Sequence, residues 1–335
     1  IRDAQESRGL GDVYKRQGMD FEKIEQAYTY LLENVQIIQN DLATSFYDAL
    51  IEQNGIYLDG QTALEQVKKN NQALKRLALR KEEWLRTYQF LLMKAAQTEP
   101  LQANHQFTPD AVGHLMIFII EQLFTAENVS LLELGSGMGI LGASFLTSMN
   151  KKVDYLGIEL DDLLIDLAAS MAEVMDLQMG FVQGDAVRPQ VLKESDFIVS
   201  DLPIGYYPDD QIASRYQVAA KDEHTYAHHL LMEQSLKYLK TGGYAIFLAP
   251  TDLLTSSQSD LLKSWLTDQA QLVAIVALPE DLFAQGAQSK TIFVVQKKVV
   301  EGFEPFVYPL ASLRDPEILL EFKENFQNWC QEHEI

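Results

Sequence analysis

Cysteine is nearly missing from the sequence: Cys330 is the single one in 335 residues. That excludes a disulfide framework and a cysteine-based metal site. Long apolar runs are missing as well, and none reaches the ~18 residues of a membrane span. Bases are in short supply, with 27 Lys and Arg against 48 Asp and Glu, a formal net charge of −21. So acidic a surface repels phosphate backbones as a whole, so a nucleic-acid role needs a local basic patch. With 10 Pro and 18 Gly the composition is not fibrous, and no repeat or low-complexity tract occurs. What is present is 47% hydrophobic and 22% charged residues, enough to bury a sizeable core in about two domains of ~150 residues each. A cytoplasmic protein is the default expectation.

Residues 1–18 lack the apolar stretch of a signal peptide. The string Asp12-Val13-Tyr14-Lys15-Arg16-Gln17 looks like a translated transposon adaptor, with a disordered tail as the alternative. Met19 is taken as the start. Residues 19–100 are expected to form a helical N-terminal domain, because Ile24, Ala27, Tyr28, Leu31, Leu32, Val35 and Ile38 follow the 3.6-residue period. Asn54-Gly55 and Asp59-Gly60 mark a turn after a second helix, and a third helical stretch covers about 61–96. The protein's basic stretch lies here: Lys68, Lys69, Lys75, Arg76, Arg80, Lys81, Arg86 and Lys94. It reads either as a solvated helix face or as a contact surface for nucleic acid.

From residue 105 the pattern alternates. Strand-like runs fall at 129–134, 153–159, 180–183, 197–201, 244–250, 272–279 and 291–297, with helical stretches at 110–125, 139–149, 161–176, 223–240 and 256–269. Near-continuous apolar strands separated by helices imply a parallel sheet covered on both faces. The expected fold is thus α/β, a seven-stranded, mostly parallel, doubly wound (Rossmann-like) sheet over residues 101–300, behind the all-α domain. Residues 301–335 are an acidic tail, a strand or loop and then a helix over 316–332.

Four segments carry chemistry. Glu133-Leu134-Gly135-Ser136-Gly137-Met138-Gly139 follows the first strand, and its glycines let the backbone approach a ligand or simply make a tight turn. Glu159 ends the second strand, where an acid can accept both hydroxyls of a ribose. Asp185, after the third strand, can accept from an adenine amino group. Ser200-Asp201-Leu202-Pro203-Ile204-Gly205-Tyr206-Tyr207-Pro208 follows the fourth strand. A carboxylate and carbonyls at a proline-fixed turn suit a planar amino group, whose nitrogen they would aim at an electrophile. Any one of these acids alone reads as a solvated strand end; their order along one sheet edge gives them weight. His224, His228 and His229 read as exposed helix histidines rather than metal ligands.

With these motifs in place, residues ~105–298 resemble a class I S-adenosylmethionine-dependent methyltransferase. They are similar to the adenine-N6 DNA methyltransferases of the type I restriction–modification branch, in a small stand-alone form. His105-Gln106-Phe107-Thr108-Pro109 resembles that family's F-x-T-P segment, and Asp201-Leu202-Pro203-Ile204 its [DNS]-P-P-[FYW] motif. The resemblance implies S-adenosylmethionine held by Phe107, Thr108, Glu133, Gly135, Ser136, Gly137, Glu159, Asp185, Ala186 and Asp201. It implies a target amine held by Asp201 and the Pro203 carbonyl, with Ile204 and Tyr206 beside it, and no metal. Leu202 stands where the family pattern has its first proline and Ile204 where it has the base-stacking aromatic; Tyr206 or Tyr207 is the substitute. Only about 37 residues follow Lys298, and the segment is acidic overall, so target recognition is expected to fall to helix region 68–94 or to a partner protein. Three other functions stay open: methylation of RNA or of a protein amide, a non-catalytic cofactor sensor or scaffold, and a nicotinamide oxidoreductase.

Overall fold

A computed structural model describes residues 18–100, 107–283 and 286–335. The expectations for residues 1–17 and for His105 and Gln106 lie outside them. The helices are α1 (Phe21–Leu42), α2 (Phe46–Asp59), α3 (Glu65–Leu77), α4 (Lys81–Thr98), α5 (Asp110–Leu123), α6 (Ile140–Ser148), α7 (Asp162–Met175), α8 (Asp210–Ala213), α9 (Ala227–Tyr238), α10 (Ser259–Gln269) and α11 (Pro316–Glu332). The strands are β1 (Asn128–Leu134), β2 (Lys152–Glu159), β3 (Met179–Gln183), β4 (Ser195–Asp201), β5 (Leu239–Pro250), β6 (Gln271–Ala277), β7 (Lys290–Gln296) and β8 (Phe306–Pro309). They fall into two units, a helical one of residues 18–100 with 137–148 and 161–179, and a sheet unit of the rest.

The helical unit contains α1–α4 together with α6 and α7. Asp20 caps α1 by accepting from the Glu22 and Lys23 amides, which satisfies donors that the first turn leaves unpaired. Two sequence expectations fail here. Asn54-Gly55 is not a turn, because α2 runs through it to Gly60, whose φ of 72° ends the helix. Tertiary bonds decide this: buried Asn54 accepts from the Tyr88 hydroxyl at 2.8 Å and donates to Ser170 Oγ at 2.9 Å. These bonds outweigh the ~1 kcal/mol that a helix-interior glycine costs. The stretch 61–96 is two helices, not one. Ala78, at φ 48°, turns the chain left-handed after α3. Buried Glu83 then ties the start of α4, accepting from the Arg80 amide at 3.0 Å and the Asp20 amide at 2.8 Å. Between α1, α2 and α3 the buried amides of Asn34, Gln53, Asn70 and Asn71 bond one another.

The sheet unit has strand order β3-β2-β1-β4-β5-β7-β6-β8. It confirms the α/β class with eight strands rather than seven, the eighth being β8 from the tail, parallel to β6. β1 runs parallel to β2 and β4, and β4 parallel to β5, whereas β7 runs antiparallel to both β5 and β6. Leu132, Ile158, Ile198, Phe247 and Phe293 belong to one buried apolar core. The continuous burial of β5 from Gly243 onward and of β7 after Lys290 is what a sheet covered on both faces requires.

The histidine expectation is corrected. His224 is exposed, 2.8 Å from Asp210, but His228 and His229 are buried at 4% and 0% exposure on α9. Burial pushes the His228 pKa down to about 4 and that of His229 to about 3, so both are neutral packing groups at neutral pH. No helix among the described residues is long and apolar enough to cross a membrane.

Candidate active site

Every chemistry-bearing acid picked out by sequence sits at one edge of the sheet unit. After β1 the chain turns sharply, and the Gly135 and Ser136 amides donate to the Ile158 carbonyl at 2.9 and 3.0 Å. Gly135 is left-handed at φ +72°, and a Cβ built on it would meet nothing within 4 Å. The turn thus leaves room against bare backbone. Gly137 continues the left-handed course at φ +55°. The turn lies close against β2 because residue 157 is glycine. A side chain there would come within 2.7 Å of Ser136 Cβ and 2.8 Å of the Tyr155 hydroxyl.

Glu133 is 3% exposed. Its Oε1 accepts from the Tyr155 hydroxyl at 2.6 Å. Burial, reinforced by the Glu133 charge, raises the Tyr155 pKa well above the ordinary phenol value, so Tyr155 stays a donor. Glu159 ends β2, buried, and its carbonyl accepts from the Gly184 amide at 2.9 Å. That bond brings the end of β3 beside the end of β2. One residue on, Asp185 Oδ1 accepts from the Val187 amide at 2.9 Å and Oδ2 from the Tyr207 hydroxyl at 2.6 Å. Burial, then the bond to Asp185, lifts the Tyr207 pKa to about 12. Ala186 turns its methyl into the core.

Asp201 closes β4. Its Oδ1 lies 2.6 Å from Lys290 Nζ and its Oδ2 accepts from the Thr108 hydroxyl at 2.9 Å. Phe107, next to Thr108, is half-buried. The loop after Asp201 is held along its length. Leu202 is buried in the core and its amide donates to the Leu248 carbonyl. The His228 ring hydrogen-bonds the Pro203 carbonyl. Gly205, at φ +140°, accepts from the Ala227 amide at 2.9 Å. Ile204 and Tyr206 are exposed at 38% and 54%. The Tyr206 ring stacks on Tyr226 with centroids 4.9 Å apart and planes 13° apart. Tyr207 is buried, so of the two tyrosines considered as stacking substitutes Tyr206 is the accessible one.

Sequence reasoning missed Lys290, Tyr155, Gly157 and Tyr226, and it placed His228 on the surface rather than behind the loop. Tyr155 and Gly157 had a signal, since residues two apart on a strand share a face. Lys290 had one only in the direction of β7, whose first residue pairs with Pro250 at the end of β5.

The arrangement suits S-adenosylmethionine. The acids at the end of β2 and just after β3 are carboxylates that can accept from hydroxyl and amino groups such as those of a ribose and an adenine, and the Gly135 turn offers unfilled space where a side chain would project. Residues 81–312 match the N-6 DNA Methylase family. The chain is 30% identical over 275 residues to the uncharacterized Bacillus subtilis protein YtxK, across 79% of this chain and 83% of that one. It superposes on a candidate class I S-adenosylmethionine-dependent methyltransferase from Listeria monocytogenes with a TM-score of 0.83 at 27% identity, covering 92% of this chain and 99% of that one. A type I restriction–modification methyltransferase subunit from Streptococcus thermophilus shares the fold, with a TM-score of 0.61 at 16% identity over 89% and 73% of the two chains. The chain belongs to the N-6 DNA methylase family, the S-adenosylmethionine-dependent N-methyltransferases.

Proposed function

We propose that the protein methylates the N6 amino nitrogen of adenine in DNA, with Asp201 and the loop that follows it holding the amine. The observation that carries this reading is the position of Asp201. It ends β4 with both carboxylate oxygens already ordered, on the same sheet edge as Glu133, Glu159 and Asp185. In this reading Glu159 takes the ribose hydroxyls of the cofactor, Asp185 its adenine amine, and the Gly135–Gly137 turn its methionine part. Glu133 shapes that turn through Tyr155, while Phe107 and Thr108 close the other side. When bound, S-adenosylmethionine would supply an electrophilic sulfonium methyl to the amine lone pair, leaving a neutral thioether, and the amine would give up one proton.

The chain's own part is positioning. Asp201 accepts an N–H of the amine, and the Pro203 carbonyl lies on the same short loop as a second acceptor. Orienting a lone pair at its electrophile removes entropy from the barrier. Tyr206, stacked on Tyr226, offers an exposed ring on which an extruded base can stack, beside Ile204. The duplex is contacted by the basic residues between 68 and 94, alone or with a partner protein, and the site of action is the cytoplasm.

The test is transfer of labelled methyl from S-adenosylmethionine to unmethylated genomic DNA, RNA and cell protein offered separately, with Asp201→Ala alongside. Label recovered as N6-methyladenine in DNA and absent with Asp201→Ala supports the reading. Label in RNA or protein alone overturns the DNA assignment.

A further inference from the structure

The Asp201–Lys290 pair has no counterpart in the motifs that led to Asp201. The two residues are 89 positions apart, yet Lys290 Nζ and Asp201 Oδ1 are 2.6 Å apart, each side chain only 19% exposed. The strand pairing fixes this. Lys290 opens β7 opposite Pro250, and the Thr251 amide bonds the Ser289 carbonyl at 3.0 Å while the Thr251 and Thr291 hydroxyls meet at 3.1 Å. The backbone on both sides of Lys290 is therefore anchored. Among the described residues, Lys290 is bonded to no second acid.

A surface ion pair is worth little and needs no functional reason. This one is mostly shielded from water, so both charges carry a desolvation cost that an apolar pair would avoid. It also occupies the one carboxylate at the centre of the site. Resting on the methyltransferase reading above, we propose that Lys290 is a positioning and charge-balancing residue. It pins the Asp201 carboxylate and makes the acceptor net neutral, like an amide, toward the target amine and the cationic cofactor. With the Thr108 hydroxyl on the other oxygen, the carboxylate plane is set from two sides, and its remaining lone pairs stay available for an N–H. Without Lys290 a bare carboxylate would face the sulfonium and favour the charged cofactor over its neutral product. Without Asp201 a bare ammonium would do the reverse.

The measurement is the ratio of dissociation constants for S-adenosylhomocysteine and S-adenosylmethionine, by calorimetry. It needs no methyl acceptor. Lys290→Met is expected to shift the ratio toward S-adenosylmethionine by about tenfold, the scale on which one uncompensated charge acts in a partly buried site. Asp201→Asn is expected to shift it the other way, Lys290→Arg to keep it, and the double variant Asp201→Asn/Lys290→Met to restore it. A pair with a purely structural role would lower the melting temperature of each single variant and leave the ratio alone, which overturns the proposal. So does a double variant no closer to the wild-type ratio than Asp201→Asn. A wild-type protein that binds neither molecule overturns the cofactor reading itself, and this inference with it.

Discussion

The Tyr207 hydroxyl donates to Asp185 Oδ2 at 2.6 Å, which joins the loop after β4 to the acid after β3. A phenol held protonated by burial and by that carboxylate is a fixed donor at any working pH. It leaves Asp185 with one oxygen braced by Tyr207 and the other by the Val187 amide. Tyr207→Phe keeps the buried ring and removes the brace. A charge-assisted bond is worth about 1.5–3 kcal/mol, and part of that should appear as reduced preorganisation. The expected outcome is a roughly tenfold weaker S-adenosylmethionine affinity by calorimetry, with a small change in melting temperature. An unchanged affinity would remove Asp185 from the cofactor's binding partners.

Gly157→Ala tests the turn from behind. The new methyl would sit 2.7 Å from Ser136 Cβ and 2.8 Å from the Tyr155 hydroxyl, closer than van der Waals radii allow. Either the turn or Tyr155 must give way, and Tyr155 is bonded to Glu133. Overpacking of this kind costs about 1–3 kcal/mol. Chemical denaturation should show that loss, and cofactor affinity should fall with it because the Gly135–Ser136 turn moves. Wild-type stability and affinity together would mean that the turn does not depend on this close approach.

These residues show where the sequence was legible and where it was not. Strands of a sheet covered on both faces stand out as apolar runs, and an acid that closes such a run is placed by topology alone. That is why Glu133, Glu159, Asp185 and Asp201 could be named without coordinates. Lys290 could not. It begins a strand rather than ending one, and only the reversal of β7 against β5 carries a strand's first residue to that edge. Nothing local encodes strand direction. Asn54-Gly55 has turn composition, yet its asparagine is bonded on both sides to residues distant in sequence. His228 and His229 misled for a similar reason, since imidazole is compatible with surface or interior and only the packing of α9 decides.

Those two histidines give the acid response. Burial holds them neutral in the folded protein, with pKa values of about 4 and about 3, whereas an unfolded histidine titrates near ~6.5. Because the folded values are depressed, the stabilisation is complete above about pH 6.5 and declines as pH falls below it, toward the folded values. By pH 5 each histidine should cost about 2 kcal/mol. Among the described residues His229 has no hydrogen-bond partner on either ring nitrogen, so His229→Leu sacrifices none of the bonds seen there. The drop in melting temperature between pH 7 and pH 5 should be smaller in the variant, by up to half of the histidine share. An identical drop would show that His229 is protonated without unfolding.

The basic face of α3 yields the test of DNA binding. Val67, Asn70, Asn71 and Leu74 are buried on one side of this helix. Lys68, Lys69, Gln72, Lys75 and Arg76 are exposed on the other, at the spacing that lines up one helical face. Lys75 and Arg76 complement the helix dipole at its carboxyl end, but Lys68 and Lys69 stand about one turn from its positive end, where a base is unfavourable. Helix stability therefore does not account for them, and in a chain of net charge −21 they are among the groups that the proposed function assigns to phosphate. Lys68→Gln, Lys69→Gln, Lys75→Gln and Arg76→Gln combined should leave α3 intact, since glutamine is a good helix former. With a labelled duplex titrated across KCl concentrations, the slope of log affinity against log salt should become shallower by up to about 0.9 for each phosphate no longer neutralised. A slope equal to that of the wild type would make this face a solvated surface and place the phosphate-binding groups elsewhere on the protein.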